Sequence, residues 1–148
     1  MFEDCACLAS VLREIDIQEI EAVSDLPAVN DLELSFAYSI ECWVVLNGDA
    51  PCAMFGVSKV EAAELGQGMI WMVAGKEAED ESLAFAVGKI SRDWYRKLKP
   101  KYTRLYNFVD VKNTRTIGWL RWLGFRMVKL HINYAAGKTF WEFDNVEN

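Results

Sequence analysis

The spacing of apolar positions first changes period near residue 40. Before that point the intervals are helical. Leu8, Val11, Leu12 and Ile15 predict a first helix, and Leu32, Phe36 and Ile40 a later one. Between them Asp16, Ile17, Gln18 and Glu19 have the form of a capping box, an acceptor followed three residues on by a glutamate, and Ile20 and Val23 continue a second short helix. A loop with Pro27 follows, and Asn30, Asp31, Leu32 and Glu33 repeat the cap signature.

Past residue 40 the text becomes β-prone. CWVVLNGDAPCAMFGV holds two apolar runs around Asn47-Gly48, a dipeptide that readily takes positive φ, so a hairpin is expected. Residues 69–75 (MIWMVAG) predict a strand. Leu83, Val87, Ile90, Trp94 and Leu98 predict a long amphipathic helix ended by Pro100. Residues 104–109 predict a strand, 113–123 a helix, and 126–132 and 139–143 two last strands. In that last helix Asn113 suits the N-cap and Gly124 the left-handed C′ position, with Phe125 packing back. Ile117, Leu120 and Leu123 form its inner stripe, while Trp119 and Trp122 lie on another flank, able to cover a groove or a partner. The order predicts one α+β domain over residues 1–148. Its mixed, mostly antiparallel central sheet contains a parallel strand–helix–strand crossover, with helices on both faces.

Composition sharpens this only in places. At 52% hydrophobic, the 148 residues carry ample core material, which argues against disorder. No apolar run approaches the roughly 20 residues of a membrane span, and the acidic start MFEDCACLAS lacks a signal peptide's basic region. Cys5, Cys7, Cys42 and Cys52 form no CxxC pair and His131 is the single histidine, so neither a metal site nor a disulfide framework is expected. A net charge of −6 makes nucleic acid an improbable partner. Residues 92–104 are the local exception at a net of +5, fitting either a helix C-terminus or a docking patch for an acidic partner or phosphate.

The segment NTRTIGWLRWLGFR, with Asn113 followed by Gly124-Phe125, resembles the closing block of the GNAT superfamily of N-acetyltransferases, whose element order also matches. LREIDIQEIEA, GDAPCAMFGV, GMIWMV, LYNFVDVKN and TIGWLRWLGF are similar to pieces of a phage and prophage branch of that superfamily, including relatives of internal virion proteins of short-tailed coliphages. The resemblance spans residues 12–143. It implies an acetyl-CoA site at Met72, Val73, Gly75 and Asn113, with strand main chain against the pantetheine arm and turn amides on the pyrophosphate.

Two departures stand out. The turn VAGKEAEDES has one glycine and places Glu77, Glu79, Asp80 and Glu81 where an anion would lie, so a pyrophosphate would need a side chain such as Arg92 or Arg115. Leu120 stands where the family often has a proton-donating tyrosine. Glu61, Glu64 and Asp110 are candidate bases, set against readings as loop-surface residues and a turn former; His131 reads as a partly buried strand residue. The resulting expectation is a catalytically degenerate phage protein without cofactor. It would serve as a virion or assembly component or a host-interaction protein, with a protein partner or a homo-oligomer, in the host cytoplasm or the virion. The alternative is an acetyl-CoA-dependent N-acyltransferase. Family members usually open with a strand, so the sheet is expected to lack its N-terminal edge strand, leaving a pairing edge exposed.

Overall fold

The computed structural model describes residues 2–23, 28–59, 66–133 and 136–147. Three short helices come first: α1 (Phe2–Ala9), α2 (Glu14–Val23) and α3 (Ala28–Ala37). Leu8 to Ile15 is thus not one helix. The chain leaves α1 to run beside a distant strand end, where Leu12 bridges Gly75, Arg13 N donates to Ala74 O (3.0 Å) and Lys76 N to Val11 O (2.7 Å). Those tertiary bonds satisfy backbone groups that a continued helix would otherwise pair. Asp16 therefore lies inside the first turn of α2, not at its cap, and Asn30 and Asp31 lie inside α3. Ile40 belongs to a strand.

The strands are β1 (Ser39–Asn47), β2 (Ala50–Ser58), β3 (Gln67–Ala74), β4 (Arg104–Asp110), β5 (Arg126–Asn133) and β6 (Lys138–Asp144). Helix α4 (Glu81–Leu98) joins β3 to β4, and α5 (Thr114–Leu123) joins β4 to β5. One sheet runs in the order β1-β2-β3-β4-β6-β5. Every neighbour pair is antiparallel except β3 and β4, the expected crossover through α4. The β1–β2 hairpin turns at Gly48, whose φ of 64° requires the freedom of glycine. Among the described residues no strand precedes α1, so β1 forms one sheet edge and β5 the other.

Two apolar clusters sit on opposite faces of the sheet. Phe55, Trp94, Leu98, Leu105, Phe125 and Phe143 pack under α4 and α5; Cys5, Leu8, Leu12, Leu32 and Met54 pack under α1–α3. Phe55 stacks on Trp94 at 5.4 Å between centroids, and complete burial of such a ring contributes about 1.5–3 kcal/mol. The stripe of α4 differs from expectation at one position. Ile90 is exposed and Ser91 is buried, because the Ser91 hydroxyl donates to Gly88 O (2.7 Å) and accepts from Trp119 Nε1 (3.1 Å). No helix among the described residues is long and apolar enough to cross a membrane.

Candidate functional site

The parallel pair β3–β4 is short. Gln67, Gly68 and Met69 pair with Arg104, Leu105 and Tyr106, and then the strands part. Asn107 spans the start of the gap, its Nδ2 donating to Ile70 O at 2.7 Å. On its other side β3 pairs with β2, with Gly75 N donating to Cys52 O, and strict antiparallel alternation fixes which groups face away. Those are the main-chain groups of Ile70, Met72 and Ala74. The Ile70 carbonyl is taken by Asn107; Ala74 N donates to Asp16 Oδ2 (3.1 Å) and its carbonyl accepts from Arg13 N. The amide and carbonyl of Met72 point into the gap.

The gap opens into a cavity of about 530 Å³ between the splayed strands, with α2 and α3 on one side and α5 on the other. A smaller cavity of about 110 Å³ lies between the end of β3, the first half of α4 and the start of α5. Met72, Thr116 and Trp119 line both, so the two adjoin. Two buried polar atoms of residues that line these cavities have no partner: Trp94 Nε1 and Thr116 Oγ1, both shielded from solvent. Buried donors without partners are uncommon in folded proteins and suit a polar ligand.

Glu19 enters the large cavity from α2. Its Oε1 accepts from Asp110 N (3.1 Å) and from Asn113 Nδ2 (3.2 Å), while Asn113 Oδ1 caps α5 through Thr116 N (3.3 Å). Burial pushes the Glu19 carboxyl from its ordinary 4.5 to about 7; the two hydrogen bonds oppose the shift, and the nearby Asp16 and Asp110 charges add to it. Asp16 is itself buried and doubly bonded to Arg13 at 2.9 and 3.0 Å.

Most amides of the turn leaving β3 are engaged within the protein. Lys76–Glu79 forms a short 3-10 turn, and Asp80 caps α4 by accepting from the amides of Ser82 (3.1 Å) and Leu83 (3.3 Å) and from the Ser82 hydroxyl (2.6 Å). Those bonds, the Ser82 hydroxyl first, hold the Asp80 carboxyl below its usual range. The amides of Gly75, Lys76, Ala78 and Asp80 are also spent, on Cys52, Val11, Gly75 and Glu77 carbonyls.

A splayed parallel pair with a cavity at the split has a helix springing from the strand on each side of it, and the fold as a whole has counterparts among solved structures. An N-acetyltransferase from Staphylococcus aureus Mu50 is similar at a TM-score of 0.69 and 10% identity, over 97% of this chain and 93% of that one. The ribosomal-protein-alanine N-acetyltransferase of Brucella melitensis gives 0.65 and 12%, over 99% and 96%. AAC(6')-Ib, solved with ribostamycin and coenzyme A, gives 0.68 and 14%, over 99% and 90%. The fold is that of the GNAT acetyltransferases. No family model matches the chain, and no curated protein sequence does.

Within the GNAT frame the expected residues fall as follows. Met72 offers its main chain to the gap. Val73 lies opposite Met54, where the alternation turns its main chain to β2, and the Gly75 amide serves the ladder. Asn113 caps α5 and holds Glu19. Asp110 is almost wholly buried, accepting from Lys112 N (2.9 Å) and from Lys138 Nζ (3.2 Å), so it serves the turn and an ion pair. Glu61 and Glu64 lie outside the described residues. His131 lines the cavity and meets Glu142 at 3.1 Å. Leu120 is buried. Arg92 stacks on Trp122 at 4.8 Å, about 16 Å along α4 from its first residue at 1.5 Å per residue. Arg115 reaches the turn, donating to Glu79 O at 3.2 Å.

Glu19 is the residue the sequence reading missed. Asp16, Glu19, Ile20 and Val23 fall at i, i+3, i+4 and i+7, so one helix face carries both acids and apolar residues. Acids on an inward face were the available signal, and the cap pattern masked it.

Proposed function

We propose that this chain is an N-acyltransferase that moves an acyl group from a pantetheine thioester to a primary amine in the β3–β4 cleft. The observation that carries the reading is Glu19, a carboxyl at about 7 lining a cavity of about 530 Å³. A base with a pKa near the working pH is both available and strong enough to accept a proton. Both of its protein hydrogen bonds go to Oε1, which leaves Oε2 to take the proton of the incoming amine. Trp71, Phe108 and Phe140 line the same cavity and suit an amine with an apolar body.

On the donor side, the outward amide and carbonyl of Met72 fit the amides of a pantetheine arm. A thioester bound there supplies the acyl carbon, which bonds to the amine nitrogen as its bond to sulfur breaks. Glu19 holds the proton that the nitrogen gives up. A thiol at about 8.5 is a weaker acid than a carboxyl at about 7, so this proton passes downhill to the departing sulfur, and Leu120 is not required to supply one.

The test is amine-dependent thiol release from acetyl thioesters across a panel of apolar primary amines. The rate should rise with pH through about 7, and Glu19→Gln should lower it by about 10²–10⁴-fold. A Glu19→Gln variant within a few-fold of the parent would remove Glu19 from this role.

A second reading is favoured by the sheet edges. Ile40, Trp43 and Leu46 on β1, and Val128, Leu130 and Ile132 on β5, are each about half exposed. An apolar open edge is a template for another strand. On this reading the chain is a catalytically silent GNAT-fold module that pairs with itself or with a virion or host protein, as the phage resemblance implies. Absence of thiol release with every amine, together with a concentration-dependent dimer by sedimentation, would favour it.

A further inference from the structure

We infer that the acyl donor is recognised through its pantetheine arm alone, and that Asp80 is the specificity-determining residue that keeps the nucleotide of coenzyme A from being gripped. The inference rests on the acyltransfer reading above and concerns which part of the donor this chain binds. In the GNAT frame the diphosphate of coenzyme A falls at the turn between β3 and α4, and the residues here do not fit it.

An anion at a helix N-terminus is held by amides that have no other partner. In this chain the Ser82 and Leu83 amides are already bound to Asp80, an anion of the protein's own. The amides of Gly75, Lys76, Ala78 and Asp80 point to carbonyls. Glu77, Glu79 and Glu81 add like charge around the same spot, and Arg115 is engaged at the Glu79 carbonyl. A diphosphate seated on the Ser82 and Leu83 amides would have to displace Asp80 and would then sit among three further carboxylates.

The arm side is the reverse. Trp94 is 7% exposed, its Nε1 has no partner, and it lines the large cavity. Thr116, whose Oγ1 is buried without a partner, lines both cavities together with Met72, whose main chain faces the gap. The Met72 main chain stands open to an amide-bearing arm in the gap, and the helix N-terminus at the phosphate end is capped by the Asp80 side chain.

The experiment is calorimetry of the full chain with pantetheine and with coenzyme A, at low and moderate salt. The expected result is that the two dissociation constants agree within about threefold, where one charge-assisted hydrogen bond would separate them by about tenfold or more. Two variants make the test directional. Asp80→Gly opens the Ser82 and Leu83 amides, and Asp80→Asn keeps a capping oxygen while removing the charge. Both should gain affinity for coenzyme A, the glycine variant by about tenfold, with pantetheine unchanged.

Coenzyme A binding tenfold or more tightly than pantetheine in the parent protein would overturn the inference. So would an unmoved ratio in both folded variants, or no binding of either ligand at millimolar concentration. Equal binding of both ligands without thiol release in the presence of any amine would sink the acyltransfer reading and leave this one standing.

Discussion

Replacing Glu19 by glutamine should make the protein more stable, and only above a particular pH. The carboxyl titrates at about 7 in the fold against an ordinary 4.5. Below about 4.5 it is protonated in both states and contributes no difference. Between 4.5 and 7 the unfolded chain has released the proton that the folded chain still holds, so the parent loses stability as pH rises. Above 7 the full cost of burying the charge is present. At roughly 1.4 kcal/mol per unit, a shift of this size corresponds to about 3 kcal/mol. Glutamine carries no charge, and its Oε1 can accept the same two bonds from Asp110 N and Asn113 Nδ2. Denaturant unfolding at pH 5, 6, 7 and 8 should show Glu19→Gln ahead by about 1 kcal/mol at pH 5 and by about 3 kcal/mol at pH 8, the latter a rise in Tm of roughly 6–12 °C for a chain of this size. A difference that does not vary with pH, or a variant less stable at pH 8, would refute the reasoning. A stabilising loss of a site residue is the mark of a group held against its own solvation.

Asp16→Asn should act in the opposite sense, because Arg13 is buried and would keep its charge without a carboxylate. Denaturant unfolding should show a loss of about 3 kcal/mol, and a loss below about 1 kcal/mol would contradict the pairing. Gly56→Ala should destabilise by about 1–3 kcal/mol, since its Cβ would lie 2.6 Å from the Trp71 ring. Trp71 also donates through Nε1 to Ser39 Oγ at 3.1 Å, so its fluorescence should report the displacement.

The strand and helix order after residue 40 was legible because each element carries its own local signal. The Asn47-Gly48 turn, the helix break at Pro100 and the Asn113 and Gly124 caps all appear where the spacing puts them. The first 40 residues were harder. Leu12 and Arg13 bond to β3, some 60 residues away, and no local period records a long-range bridge. The candidate site divided in the same way. Asn113 and the acid-rich turn could be read locally. Glu19 could not, because its shift comes from burial and from Asp110 and Asn113, which only the fold brings to it.

The Glu19 cluster also says when in folding the cleft comes into being. Glu19 meets Asp110 across 91 residues of chain and Asn113 across 94. Closing loops of that length comes late relative to hairpin and helix formation, since their entropy must be met before any contact rewards it. During synthesis α2 leaves the ribosome long before β4 and α5 exist to receive it. The helical segment has α3 and the Ala74 amide of β3 to pack on before then, and the cleft is completed only as the last third of the chain arrives.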